Sequence, residues 1–450
     1  MRKTRFLILL LGLFSEVHAQ PIAQIWLEET RLEAIQITGG LEVPWSMDSW
    51  SEEAILLTER PGKIKRVSLT NGETKVLYEA QNIAVEGQAG LLGLQTHPEF
   101  PDTPLVFIAT TYYDNSIIRM RIDRLRYSET TDSLSFEQTI VSDLPSGNSN
   151  TGGRLFIDSE NKLWLTLGDI KDTDLPQDES SLNGKVLRYE LDGSNASGNP
   201  FANSPVYSIG HRNPQGIVET SLNEMLVSEH GPSSDDELNR LISGGNFGWP
   251  LVTGSCVGNE AVCDSINAEE PLFTWSPTIA PAGIDYYDGT LIPEWSNSII
   301  MAALKDKRLS IVSLSADHKE ATEVTTAFTD KFGRIRDVLV MGERIFLCTS
   351  NRDALGTPNE DDDRLIELVP YAHNGLLDRE ARQLDAFYHD GMVWFNQPVN
   401  SQIQVLNILG QILEVVDLQN RTEFRLSDTY HGLVILRDLN SNDTKKLFIP

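Results

Sequence analysis

Six times along this chain an apolar strand, a polar connection and a second apolar strand recur, at residues 54–67, 105–122, 163–191, 225–242, 299–314 and 345–368. The strands are rich in Val, Ile, Leu, Phe and Trp, and Pro61-Gly62, Asn71-Gly72 and Asp192-Gly193 supply turn chemistry around them. No long amphipathic helix separates the pairs, which disfavours a βαβ succession with a parallel sheet. A repeat of about 40 to 60 residues made of short antiparallel strands suggests a propeller with its extra length in loops on one face. The expected fold is therefore all-β, with a six-bladed β-propeller over residues 20–370.

Beyond Pro370 the character changes. Residues 371–384 are polar and read as a linker. Residues 385–450 carry strand-like runs near 392–395, 403–406, 412–416, 423–426, 433–436 and 446–449, enough for a small C-terminal β-sandwich. At the other end Arg2, Lys3 and Arg5 precede the apolar run Phe6 to Phe14, and Val17-His18-Ala19 offers a cleavage site, so residues 1–19 read as a signal peptide. That run is too short to span a bilayer and no later stretch is longer, so no transmembrane segment is expected and the protein is read as secreted or cell-surface. In an oxidising compartment Cys256 and Cys263 are expected to form a local disulfide, two free thiols being the alternative. Cys348 reads as a buried thiol.

With 37 basic against 65 acidic residues the net charge is −28, which argues against nucleic acid or an anionic membrane surface as partner. Against that background Arg212, Lys305, Arg334 and Arg336 stand out, because they fall in glycine- and proline-rich loops or at strand ends. The Arg-x-Arg spacing puts Arg334 and Arg336 on one face of a strand, and guanidinium forks suit carboxylates. Any one of them alone reads as a solvated surface cation. The stretch Ser228 to Pro250 is rich in glycine, proline and acids and reads as a long functional loop. Its Gly231-Pro232 carbonyls suit a hard cation, and Asp235, Asp236 and Glu237 read equally as neighbours of a metal or as a solvated acidic run.

Over residues 22–370 the chain resembles the soluble pyrroloquinoline quinone (PQQ)-dependent aldose dehydrogenases, the glucose/sorbosone dehydrogenase family. The resemblance rests on Gly40 to Trp45, Thr58 to Gly62, Gly87 to Gly93, His97 to Phe100, Gly152 to Leu155, Leu167-Gly168-Asp169, Gly184 to Arg188, Gly210 to Gly216, Glu229 to Asn239, Gly248-Trp249-Pro250, Pro277 to Pro281 and Arg334 to Val338. It implies a propeller with the quinone over its central cavity and a Ca2+ ion held by the carbonyls of Gly231 and Pro232. It implies that Arg212, Asn213, Thr278, Lys305, Arg334 and Arg336 hold the quinone, that Gln88 faces an aldose sugar, and that Trp275 lines the pocket. The implied chemistry is hydride transfer from the anomeric carbon to the quinone, aided by Ca2+ and an arginine, with an external electron acceptor completing the cycle.

One position departs from the family pattern. The base there is a histidine, and here the motif reads Asn150-Thr151-Gly152-Gly153-Arg154. An amide accepts a hydrogen bond but does not titrate near neutral pH. Asp143 and Asp169 lie nearby in sequence as substitutes, and His230 is a poor one. Two readings follow, a dehydrogenase with an altered base and a catalytically inactive propeller that binds at the cell surface.

The tail resembles the C-terminal sorting domains of Bacteroidetes type IX secretion cargo. The residues are Gln397 to Asn400, Val405 to Gln411, Tyr430 to Leu436 and Lys445 to Ile449. The resemblance implies the type IX export machinery as a partner; an ordinary accessory β-domain is the alternative.

Overall fold

The computed structural model describes residues 20–372, 386–389, 391–407, 411–427, 430, 432–439 and 444–449. The expected signal peptide, nearly all of the expected linker, and residues 408–410 and 431 of the tail motifs lie outside these residues. The chain divides into two compact units between Tyr371 and Ala372.

In the first unit six antiparallel sheets follow one another along the sequence, five of four strands and one of five. Each sequence-level pair is the middle of a sheet: Ala54–Glu59 with Lys63–Ser68, Leu105–Asp114 with Ile117–Ser128, Lys162–Leu167 with Lys185–Glu190, Met225–Glu229 with Asp236–Arg240, Ser298–Ala303 with Arg308–Leu314, and Arg344–Thr349 with Leu365–Ala372. These strands were legible because both faces are covered. Every residue of Ala54–Glu59 and of Ser298–Ala303 is buried, so they read as short, mostly apolar runs. The first strands of the six sheets are Pro44–Ser51, Leu91–Thr96, Gly152–Ile157, Pro214–Glu219, Pro281–Tyr287 and Ile335–Met341. Each packs against the next, and Ile335–Met341 returns to Pro44–Ser51. This succession of antiparallel sheets is the arrangement of a β-propeller.

Apolar cores fill the spaces between neighbouring sheets: Leu56 and Ile64 of the first pack with Leu94, Val106 and Ile108 of the second. Nearer the centre, side chains on first strands accept backbone N–H groups from the next sheet. Asp48 Oδ2 accepts from Thr96 N at 2.6 Å, Asp285 Oδ2 from Val340 N at 2.6 Å and Asp337 Oδ2 from Met47 N at 2.8 Å. Desolvation, the largest cause, pushes the Asp48 carboxyl up to about 6 and Asp285 up to about 7.

The stretch Ser228 to Pro250 is only partly a loop, which corrects the sequence reading. Ser228 and Glu229 end one strand and Asp236–Arg240 is the third strand of the fourth sheet, so the turn proper is confined to residues 230–235. Leu238 is fully buried among Val218, Leu226 and Ile284, and the carboxylate of Asp236 is satisfied by backbone N–H groups. An acid can therefore open this strand. The one α-helix among the described residues, Glu260–Ile266, follows in the loop that the Cys256–Cys263 disulfide closes, with Cα atoms 6.0 Å apart. Cys348 is a buried free thiol. No described helix is long and apolar enough to cross a membrane.

In the second unit Ala386–His389, Met392–Val399 and Arg421–Arg425 form one sheet. Ile412–Asp417, Gln402–Leu406, Gly432–Asp438 and Thr444–Ile449 form the other. The two share a core that includes Val393, Phe395, Ile403, Val405, Phe424, Val434 and Leu436. All six runs expected from sequence overlap these strands, and Ala386–His389 is an additional one.

Candidate active site

Antiparallel pairing sets the start of each first strand beside the end of the second: Gly152 opposes Leu167, Pro214 opposes Glu229, Pro281 opposes Ala303 and Ile335 opposes Thr349. Residues just before a first strand and just after a second strand therefore meet at one end of the unit. Gln88, Asn150, Arg212, Asn213, Thr278 and Arg334 come from the former class, Asp169, Gly231, Pro232 and Lys305 from the latter, and Arg336 sits one residue inside its strand.

There they form a continuous belt. Arg212 donates through Nη1 to the carbonyls of Gly231 at 2.8 Å and His230 at 3.1 Å, while its backbone N–H binds the Glu229 carboxylate. Two carbonyls converging on one cationic nitrogen mark a place suited to positive charge. A cavity of roughly 10 Å³, room for one water or small ion, lies among Arg212, Gly231, Pro232, Trp249 and the acids Glu229, Asp235 and Glu237. Asn213 accepts from Gln215 Nε2 at 3.1 Å, and Gln215 Oε1 accepts from Arg336 at 3.1 Å. Arg336 and Arg334 both reach Asp353 Oδ2, at 3.4 and 3.5 Å, as their shared face predicts. Arg334 continues to Leu304 O at 3.4 Å, and Lys305 donates to Thr278 Oγ1 at 2.7 Å. Asp236 closes the belt, taking N–H groups from Gly231 on one side and from Ile279 and Ala280 on the other.

The charges in this belt are poorly compensated. Arg334 and Arg336 are buried and share one carboxylate, and the Nε of each lacks an acceptor. Desolvation, and then the neighbouring Arg334 and Arg154, push Arg336 down to about 10 despite Asp353. Such an arrangement is receptive to an anion, and to carboxylates in particular.

Asn150 lies at φ +46°, a left-handed conformation that asparagine tolerates, and is buried. Its Nδ2 donates to Asp169 Oδ1 at 2.8 Å, which fixes the amide orientation because a carboxylate accepts only. Asp169 also accepts from Lys171 N at 2.8 Å and, through Oδ2, from Trp249 Nε1 at 2.9 Å. Trp249 in turn lies under the Arg212 guanidinium, 5.5 Å from the ring centroid. Gln88 is exposed, and its backbone N–H donates to Asn148 O at 2.9 Å, holding it beside the Asn150 loop.

Two sequence expectations fail here. Asp143 is no substitute base: it lies on the outermost strand of the second sheet, exposed, bound by Ser142 and Tyr112, whose hydrogen bonds hold its carboxyl below the usual range. Trp275 lies on the outer strand of the fourth sheet and packs in the core with Leu226, Leu238 and Ile279, so the aromatic wall falls to Trp249. Of the acids 235–237, expected either as neighbours of a metal or as a solvated run, Asp235 and Glu237 line the small cavity beside Gly231 and Pro232. Asp235 accepts from Ser234 Oγ, Glu237 from Gly254 N and Asn239 Nδ2, and Asp236 only from backbone. Among the described residues no group of three or more His, Cys, Asp or Glu could hold a metal.

His230 donates through Nε2 to Pro281 O at 2.7 Å. Desolvation first, then Arg336, Arg212 and Arg334, push its imidazole down to about 3. The ring should therefore stay neutral from pH 8 to about 4, where a free imidazole titrates near 6.5. Proton uptake over that window favours the unfolded chain, so this contribution to stability is lost as pH falls from about 6.5 towards 3. Nitrogen-15 NMR of the His230 ring checks this; titration near 6.5 would contradict it.

A closed succession of antiparallel sheets with a cationic, carbonyl-lined belt at one loop end defines a β-propeller with a loop-built polar site. The profile of the Glucose / Sorbosone dehydrogenase family matches residues 41–356, and the chain belongs to that family. Quinoprotein glucose dehydrogenase B of Acinetobacter calcoaceticus is 27% identical over 446 residues, covering 78% of this chain and 92% of that protein. The aldose sugar dehydrogenase YliI of Escherichia coli K12 is 28% identical, over 75% of this chain and 92% of its own. Among solved structures, the PQQ-bound aldose sugar dehydrogenase of Streptomyces coelicolor superposes with a TM-score of 0.68 at 31% identity, covering 76% of this chain and 98% of that one.

Proposed function

We propose that this chain is an exported oxidoreductase that transfers hydride from the anomeric carbon of an aldose to PQQ with the help of Ca2+. The observation that carries the reading is the belt, in which four cations come from three adjacent sheets and the two buried arginines, Arg334 and Arg336, share the single carboxylate of Asp353. A tricarboxylic quinone matches that surplus of charge, and the paired carbonyls beside Arg212 match a hard cation. The six sheets are read as six propeller blades and the second unit as a β-sandwich, supported by the closed order of first-strand contacts and by the core shared between two sheets.

Arg212, Asn213, Thr278, Lys305, Arg334 and Arg336 would hold the quinone's carboxylates and carbonyls, and Gly231 and Pro232 would give carbonyl oxygens to Ca2+. When bound, the quinone supplies a hydride acceptor and Ca2+ a Lewis acid. Arg212, braced by the face of Trp249, would stabilise negative charge at the acceptor. Gln88 binds sugar at the rim. Asn150, its nitrogen held by Asp169, presents Oδ1 to the anomeric hydroxyl, which it can orient but not deprotonate. Water is left to take that proton, and the turnover is slow.

The absence of a titrating group at position 150 also favours a second reading, a quinone-loaded propeller that binds without turnover. Reconstitution with PQQ and Ca2+, followed by dye reduction with a panel of aldoses and a dye as external acceptor, separates them. Slow, sugar-dependent reduction is expected; bound quinone with no reduction would favour the binding module. Export rests on residues 1–19 as signal peptide and 385–450 as a type IX sorting domain. Mass spectrometry of the secreted protein, with a mature N-terminus at Gln20, tests the former.

A further inference from the structure

Asp236 is a buried carboxylate, 1% exposed, whose hydrogen bonds come from backbone N–H groups of two separate loops. Oδ1 accepts from Gly231 at 2.8 Å, and Oδ2 from Ile279 at 2.6 Å and Ala280 at 2.7 Å. Both loops are tightly wound. A Cβ on Gly231 would meet Ser234 O at 2.1 Å, so the turn is closely packed there, and the Gly231 N–H that Asp236 holds shares its peptide plane with the His230 carbonyl, which Arg212 also binds. On the other side Ala280 sits at φ +55°, and the carbonyls of Ile279 and Ala280 accept from Lys305 N at 3.0 Å and Leu304 N at 2.9 Å. Lys305 then donates to Thr278. One side chain thus ties the carbonyl turn to the Thr278–Lys305 wall.

We infer that Asp236 is a positioning residue that fixes the His230–Gly231 peptide, and through it the turn that carries the carbonyls, relative to Thr278 and Lys305, so that the cation and the carboxylate-bearing cofactor are bound by one rigid frame. This rests on the proposed PQQ and Ca2+ site. Asp236 touches neither ligand and acts through the backbone of the residues that do, as outer-shell groups do at metal sites.

The test is Asp236→Asn in the full chain, since an amide must turn an NH2 towards at least one of the N–H donors it replaces. Calorimetric titration of Ca2+ into quinone-free protein should show a Kd raised on the order of 10- to 100-fold. PQQ binding, followed by absorbance at saturating Ca2+, should weaken as well. Lys305→Met should weaken PQQ alone and leave the quinone-free Ca2+ titration unchanged. A wild-type Ca2+ Kd in Asp236→Asn overturns the inference. Hydrogen exchange provides a readout that needs no variant: in the wild type the Gly231, Ile279 and Ala280 amides should exchange as slowly as strand amides, and loop-like exchange overturns the clamp. If the wild type binds neither ligand the functional reading fails, and the exchange rates still decide the clamp.

Discussion

Asn150→His should raise sugar-driven dye reduction by about 10²- to 10⁴-fold at neutral pH, the usual contribution of a general base. The surroundings already suit an imidazole. Asp169 Oδ1 stands 2.8 Å from Asn150 Nδ2, where it would receive one ring N–H and leave the other nitrogen with a free lone pair. The backbone at φ +46° is one that histidine also adopts more readily than most residues. Asp169 is itself anchored by Lys171 N and Trp249, so it would orient the ring without moving. The gain should follow deprotonation of the new histidine, with activity falling below about pH 6.5. Asp169→Asn in that background should remove most of the gain with little change in KM. An Asn150→His variant that binds PQQ and Ca2+ but turns over no faster would show that the missing base is not what limits this chain.

The second large effect concerns Arg336, where binding and stability should part company. Arg336→Met is expected to weaken PQQ binding on the order of 10²-fold, as removal of a buried charged partner costs about 2–5 kcal/mol. Its effect on folding should have the opposite sign or none. In the free protein the guanidinium is desolvated, its Nε lacks an acceptor, Arg334 and Arg154 repel it, and its one carboxylate is shared. Losing the desolvated cation removes its burial penalty, and Asp353 keeps Arg334 as a partner at 3.5 Å, so no buried charge is stranded. The donor lost to Gln215 Oε1 offsets about 1 kcal/mol of that. Chemical denaturation without cofactor should therefore give an unchanged or higher unfolding free energy, while an absorbance titration shows the weakened affinity. A clear loss of stability would mean that Arg336 is a structural cation, and the belt would lose its strongest support as a cofactor seat.

The middle strands announced themselves because burial on both faces makes them apolar runs, as in Ser298–Ala303. The first strands did not: Pro214–Glu219 and Gly152–Ile157 carry glycine and polar groups at the site end, where loop chemistry displaces strand pattern. The site cations were legible because charge in glycine-rich turns is unusual, and Arg334 and Arg336 do share a face and a carboxylate. Asp353 was not, since nothing in Asn351-Arg352-Asp353 marks it as the shared counterion until the loop after Arg344–Thr349 is placed beside the sixth first strand. Trp275 was misassigned because spacing along the chain does not reveal that it occupies an outer strand. Asp236 carried the opposite error: its acidic neighbours suggested metal or solvent, and only the structure brings three backbone N–H groups to it. Trp249 sat within a recognised motif, but its two contacts, to Asp169 and Arg212, join residues far apart in sequence.

Whether the belt seats PQQ together with a divalent cation is tested most directly by an absorbance titration of the mature protein with PQQ in Ca2+ and again in EDTA. Saturable one-to-one binding is expected in Ca2+, weakened at least tenfold by EDTA, about 1.4 kcal/mol of coupling, and weakened again by Arg336→Met. Absence of saturable binding in Ca2+, or binding indifferent to both EDTA and Arg336→Met, would contradict that seating.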